Sequence, residues 1–166
     1  MSSVTILLMN ITTDASIYEI EPVKVIYPHN RDDLIKSIRN LLLDKQSFTM
    51  RAGGTSIGGQ AIGEGVIVDI SKYLTNIIDF REDEKEIIVE PGVIQDDLNL
   101  YLRPHNLKFA PDTSTSNRAM IGGMIGNNSC GAYSIYYGTT RNHVKSLEVI
   151  LSDGSLVEFK ELTTKE

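Results

Sequence analysis

The sequence predicts an α+β fold in two lobes: a small β-α-β-β lobe with parallel strands, followed by a mainly antiparallel sheet lobe with helices. Three observations predict it. Between residues 22 and 70 a β-rich run, a helix-period run and two further apolar runs follow one another. Between 77 and 160 two pairs of strand-like runs bracket short polar hinges. Most of the 13 glycines gather in two stretches, 53–65 and 122–138. The expected division is residues 1–20 as an N-terminal segment, 21–75 as the first lobe and 76–166 as the second.

Residues 1–20 carry the weakest pattern. The run ITTDASIY is polar and turn-like, and fraying is the default at a terminus. Val23, Val25 and Ile26 then make a short strand closed by Pro28. Asn30 is the expected N-cap of a helix, with Asp33 as the acidic form of a capping box. Leu34, Ile35, Ile38, Leu41 and Leu42 recur at helical spacing. Residues 48–50 form a second strand, expected to pair in parallel with the first. The run VIVDI (66–70) has no alternation, which suits a strand buried on both faces. Residues 77–80 and 86–90 flank the charged hinge REDEKE, a hairpin signal. Ile94, Leu98 and Leu102 give a short helix ended near Pro104. Residues 144–151 and 156–159 form a second hairpin around Asp153-Gly154.

Composition narrows the function classes. Of 166 residues, 41% are apolar and 23% charged, a globular mixture that excludes disorder and collagen-like repeats. The net charge of -6 opposes a partner held by phosphate neutralisation, so nucleic acid is not expected. A single cysteine, Cys130, excludes a disulfide framework or Cys-based zinc site within one chain. No run approaches the ~18 apolar residues of a membrane span. The run at 6–9 is too short for a signal-peptide core. A soluble, intracellular protein is expected.

Two stretches are suited to chemistry. The first is Arg51, Ala52, Gly53, Gly54, Thr55, Ser56, Ile57, Gly58, Gly59 and Gln60. Its paired glycines free the backbone for positive φ and close approach. Successive amides in such a turn converge into an anion-binding nest. Thr55 and Ser56 add hydroxyl donors and Arg51 a cation, so a phosphate or diphosphate is the natural guest. In an acidic chain, such a guest must be held by local donors. The plainer reading is a flexible surface loop, less apt for two glycine pairs set between two strands. Neither the Walker A pattern nor GxGxxG matches.

The second stretch is Pro111, Asp112, Thr113, Ser114, Thr115, Ser116 and Asn117, followed by MIGGMIGNNSCG. Gly122, Gly123 and Gly126 stand near helical spacing, which allows a helix turn whose N-terminal amides face an anion. Asn127, Asn128 and Ser129 offer groups for a sugar or base edge. Alone it reads as an ordinary polar loop. Paired with the first, it suggests one long ligand with a diphosphate in its middle. Other candidates favour plain readings. Nothing local activates Cys130. His29, His105 and His143 lack metal-ligand spacing, so no metal is expected. Asp32-Asp33 and Asp96-Asp97 suit the first turns of helices.

With both stretches quoted, the chain resembles the N-terminal part of the PCMH-type FAD-binding domain of the vanillyl-alcohol oxidase family. The runs PVKVIYP, RAGGTSIGGQ, GVIVDIS, VEPGVIQDDLN, PDTSTSN, IGGMIGNNSCG, YGTTRNHV and LEVILSDGSLVEF stand in family order across nearly the whole chain. Within that family it is most similar to FAD-linked oxidases related to D-lactate and D-2-hydroxyglutarate dehydrogenases, often fused to an iron–sulfur part.

The resemblance implies two lobes clasping FAD. Arg51 to Gly58 would form the first diphosphate loop. Pro111 to Thr115 and Ile121 to Gly123 would line the diphosphate and flavin side. Gly126 to Ser129 and Gly138 would continue around the nucleotide, with Val144 close to it. Some members carry a His bonded to the flavin where this sequence has Thr55, so FAD is expected to be non-covalent. Met120 replaces a common Thr, removing one hydroxyl. Family members continue with a further strand and a substrate domain that supplies the catalytic residues. The chain is thus expected to be an N-terminal fragment, with no catalytic residue of its own and inactive alone. An iron–sulfur cluster would belong only to the remainder.

The implied activity of the longer protein is oxidation of a D-2-hydroxy acid, such as D-lactate or 2-hydroxyglutarate, by hydride transfer to FAD. The alternatives are an FAD-dependent sugar or alcohol oxidase, or a non-catalytic nucleotide-binding module. A cytoplasmic location is implied, with attachment to the inner membrane surface open to the longer protein. The unpaired sheet edge expected on the second lobe offers a route to a homodimer.

Overall fold

The computed structural model describes residues 11–161. Three parallel strands, β1 (Lys24–Ile26), β2 (Phe48–Arg51) and β3 (Val66–Asp69), form a sheet in the order β1-β3-β2. The expected pairing of the first two strands is corrected: each pairs with β3 instead. Burial explains the order. All four residues of β3 are buried, with Ile67 and Val68 at 0% exposure, whereas Lys24 and Met50 on the flanking strands are exposed. A strand apolar on both faces stabilises most at the centre, where neighbours cover it on all sides.

Helix α1 (Arg31–Leu43) covers one face of this sheet. The Asn30 side chain accepts a hydrogen bond from the Asp33 amide at 2.9 Å. The Asp33 carboxylate accepts from the His29 amide at 2.9 Å, one residue further out than the expected capping box. Ile38 and Leu41 pack against Val66 and Val68 in the first core.

The second core gathers Val93, Leu98, Leu102, Ala119, Ile121 and Met124. It lies under the antiparallel hairpin of β4 (Ile77–Arg81) and β5 (Glu86–Val89), which presents Ile77, Phe80, Ile87 and Val89 to it. Helix α2 (Gln95–Leu102) supplies Leu98 and Leu102, and the 3-10 turn Arg103–His105 ends it at Pro104. Helix α3 (Ile121–Gly126) adds Ile121 and Met124, and the short α4 (Ser134–Tyr137) follows.

A second hairpin joins β6 (Ser146–Ile150) to β7 (Leu156–Lys160). The two hairpins are separate two-stranded sheets. The reason is where each finds apolar cover: β4 and β5 lie on the second core, while Ile150 packs into the first. The Arg39 Nε donates to the Gly154 carbonyl at 2.9 Å, and Arg31 grips Glu148 through both carboxylate oxygens at 2.6 and 2.7 Å. Five residues, 151–155, connect the strands, and the Leu151 amide donates to the Ser155 carbonyl at 2.8 Å. Gly154 bonds back to Leu151 at 2.9 Å and stands at φ 79, the position where a type I turn with a bulge calls for glycine.

Residues 11–20 do not fray as expected. Ile11 and Thr12 are each 7% exposed, and the Ile20 amide returns to the Thr12 carbonyl at 2.9 Å. The run at 6–9 lies outside the described residues.

Candidate functional site

A cavity of about 610 Å³ opens where the two glycine-rich stretches meet. That volume falls within the ~300–1,000 Å³ of small-molecule sites.

The first wall begins where β2 ends. The Arg51 carbonyl still accepts from the Ile70 amide at 2.9 Å, and the chain then turns away from the sheet. The Arg51 side chain lies beneath the turn, 9% exposed. Its Nη1 donates to the Ala61 carbonyl at 3.1 Å, and its Nε stands 4.0 Å from Asp69, whose side chain is 4% exposed. The cation expected to balance a bound anion thus has a carboxylate beside it already. Gly54, at φ 60, rests on this guanidinium, and a Cβ there would come within 2.6 Å of Nη2. The amides of Gly53, Gly54, Thr55 and Ser56 donate to no protein acceptor among the described residues. These residues are half-buried, and amides left open in this way can serve a bound acceptor. Further on, the Gln60 carboxamide oxygen accepts from the Ser56 hydroxyl and the Gly58 amide.

The second wall is fixed by a buried amide. Gln95 is 1% exposed; its Nε2 donates to the Pro111 carbonyl, and its oxygen accepts from the Thr113 hydroxyl at 2.8 Å. Gly131 presses on the same segment so closely that a Cβ would lie 1.3 Å from the Asp112 carbonyl oxygen. In α3, the Ile121 and Gly122 amides donate to Val93 and Pro91 at 2.9 and 2.8 Å. The expectation that this helix start turns its amides to an anion is corrected for those two: the β5–α2 connection has consumed them. Of the α3 glycines, Gly122 serves close packing against Pro91, while Gly123 has ordinary contact with Ala52 and Gly126 open space.

The walls touch. A Cβ on Gly53 would sit 2.3 Å from the Arg118 carbonyl oxygen, and one on Gly123 would sit 3.5 Å from Ala52. Of the residues singled out from the sequence, Arg51, Ala52, Gly53, Gly54, Thr55, Ser56, Thr113, Thr115, Gly122, Gly123, Gly126, Asn127 and Ser129 line the cavity. Pro111 and Ile121 are buried, and Ile57 is 84% exposed. Gly58, Asp112, Ser114 and Gly138 stand outside the lining. Asn128 and Val144 line a separate groove of about 560 Å³ with Arg141, Lys145 and Phe159. Sequence reasoning missed the apolar lining of Met50, Ile70, Pro91, Ala119 and Met124. It also missed Gln95, whose only sequence signal was a polar residue opening an apolar helix.

Two titrating groups report on the surroundings. Burial raises the Asp14 carboxyl, but hydrogen bonds from Ser16 and Ala61 and the Arg51 charge outweigh it and hold it below the usual carboxylate value. Burial, helped by Asp69, pushes the Tyr27 phenol up. No group of three or more His, Cys, Asp or Glu able to hold a metal occurs among the described residues. Among the same residues no helix is long and apolar enough to cross a membrane.

A cavity of this size walled by glycine turns has the form of a small-molecule site. The chain belongs to the FAD binding domain family, whose pattern matches residues 22–160. It is 40% identical over 157 residues to the D-2-hydroxyglutarate dehydrogenase of Escherichia coli (strain K12), a match covering 93% of this chain and 15% of that protein. It is 30% identical over 151 residues to the mitochondrial D-lactate dehydrogenase [cytochrome] 1 of Saccharomyces cerevisiae, covering 89% of this chain and 25% of that protein. The fold is shared with alkyldihydroxyacetonephosphate synthase at a TM-score of 0.75 and 16% identity, over 85% of this chain and 26% of that one. The resemblance drawn from the motifs therefore holds. The chain spans about 15% of the length of the D-2-hydroxyglutarate dehydrogenases it matches.

The residues present fit FAD. Amides on Gly53 to Ser56 with no acceptor among the described residues, glycines whose Cβ atoms would invade the walls and an apolar lining suit a ligand with a diphosphate and a flat ring system.

Proposed function

We propose that this chain is the FAD-holding part of an oxidoreductase that acts on a D-2-hydroxy acid. The observation that carries the proposal is the close approach of Gly53 to Arg118 and of Gly123 to Ala52 beside a shared cavity lined by Gly53 to Ser56, whose amides donate to no acceptor among the described residues. FAD, when bound, supplies two-electron redox chemistry. The chain's own residues bind and orient. The amides of Gly53 to Ser56, with the Thr55 and Ser56 hydroxyls, hold the diphosphate. Thr113, Thr115, Asn127 and Ser129 supply further polar contacts, and the buried Ile70 and Met124 keep water from one side of the cavity. With Thr55 in the loop, the cofactor is held without a covalent bond. The lobes 21–75 and 76–166 serve as the two jaws. The kind of substrate is supported by the relatives' activities, and the residues that act on it belong to the longer protein.

The test is a titration of FAD into the chain, followed by flavin fluorescence, with ADP as competitor. Saturable binding that Gly53→Val abolishes is the expected result. A chain that leaves flavin fluorescence unchanged at every concentration overturns the proposal. For the longer protein, turnover of D-2-hydroxyglutarate or D-lactate separates this reading from a sugar or alcohol oxidase.

A further inference from the structure

Residues 11–20 precede the stretch 22–160 matched by the family pattern, yet they touch the first glycine loop twice. The Asp14 Oδ2 accepts from the Ala61 amide at 3.5 Å, and its Oδ1 accepts from the Ser16 amide at 2.8 Å. The Tyr18 ring lies on Gly59, where a Cβ would approach its Cδ2 to 3.1 Å. The segment is closed on itself by the Thr13–Glu19 bridge and by the Ile20-to-Thr12 hydrogen bond. It is therefore a built hook.

Ala61 relays the contact inward. Its amide is taken by Asp14 and its carbonyl by Arg51 Nη1 at 3.1 Å, and Gly54 rests on that same guanidinium. Ala61 and Arg51 are both 8% exposed, so the relay is shielded from water. A loop rich in glycine has many conformations, and ordering it costs binding free energy unless the fold has ordered it beforehand.

We propose that residues 11–20 are a clasp that sets the geometry of the loop at 53–56, with Asp14 and Tyr18 as positioning residues for the ligand held there. The identity of that ligand rests on the FAD reading; the coupling of clasp to loop does not.

The experiment uses the full 166-residue chain. Amide hydrogen exchange and FAD titration are measured for wild type, Asp14→Ala, Asp14→Asn, Tyr18→Ala and Ile17→Ala, the last a control at a side chain that is 95% exposed. Asp14→Ala and Tyr18→Ala are expected to speed exchange of the Gly58 and Ile62 amides, which hold protein acceptors, and to weaken FAD, about tenfold for Asp14→Ala, the scale of one lost hydrogen bond to a charged group. Asp14→Asn, which keeps an acceptor oxygen, is expected to recover part of both effects, and Ile17→Ala to change neither. Exchange in β4 and β5 is expected to stay at wild-type rates, which separates loosening of the loop from general unfolding. Unchanged exchange at Gly58 and Ile62, or acceleration shared equally by β4 and β5, overturns the clasp. So does wild-type FAD affinity in both Asp14→Ala and Tyr18→Ala. If exchange responds as expected and even wild type ignores FAD, the clasp stands and the FAD reading falls.

Discussion

Removing the Arg51 guanidinium is expected to destabilise the fold, because the group serves the scaffold beneath the loop. Arg51→Leu leaves the Asp69 carboxylate, 3% exposed, without the cation 4.0 Å away, and leaves the Ala61 carbonyl without its donor. Breaking a buried pair from one side costs about 3–5 kcal/mol. The separation is long for an ion pair and Asp69 keeps the Ser71 amide at 2.8 Å, so the lower end, about 3 kcal/mol, applies. For a chain of this size that is a fall of about 6–12 °C in melting temperature. The double variant Arg51→Leu with Asp69→Leu removes the stranded charge and is expected to recover more than half of the loss. Arg51→Lys keeps the charge but not the planar fork that reaches two partners, and falls between. Thermal melts at neutral pH, paired with FAD titrations, read all three. If Arg51→Leu melts within about 2 °C of wild type while FAD affinity collapses, Arg51 is a ligand-facing cation and the scaffold argument is wrong.

Two further changes test other contacts. Gly131→Ala places a methyl where the Asp112 carbonyl oxygen now sits, so the 111–115 segment must move; a lower melting temperature and weaker FAD binding are expected together. Glu148 is held below the usual carboxylate value by its hydrogen bonds from Arg31, against a smaller opposing effect of burial. Its contribution is therefore present above the unfolded-state value and lost as pH falls through the lower folded one. Glu148→Gln is expected to remove that part of the acid limb of a melting-temperature profile. The change is small, about 1–2 °C near neutrality, because the Arg31 and Glu148 side chains are 53% and 47% exposed.

Local patterns were legible where one element decides its own form. Leu34, Ile38 and Leu41 share a helical face whatever the sheet does, and the Asn30 cap needs only its own next turn. The VIVDI run announced a strand covered on both faces, and β3 is that strand. Partner choice was not legible, since it depends on comparing strands far apart in the chain. One consequence could have been read once the order was known: the register sets Arg51 opposite Asp69, so the ion pair under the loop follows from the alignment of FTMR with VIVD. The candidate site divides in the same way. The glycine loop showed itself by composition, because bare main chain at 53–56 is a local property. The fate of the α3 amides did not, because Pro91 and Val93 reach them from some thirty residues away. The docking of residues 11–20 rests on two local contacts, which no periodicity records.

The grip of the second hairpin on α1 has a bearing on biosynthesis. Arg31 and Glu148 are separated by 117 positions, and Arg39 and Gly154 by 115. A ribosome delivers the helix long before these strands, and during that interval the first core lacks the cover of Ile150. Contacts between such distant stretches also close slowly. Nascent chains arrested before Ile150 has emerged should therefore be more prone to chaperone capture than those released after it.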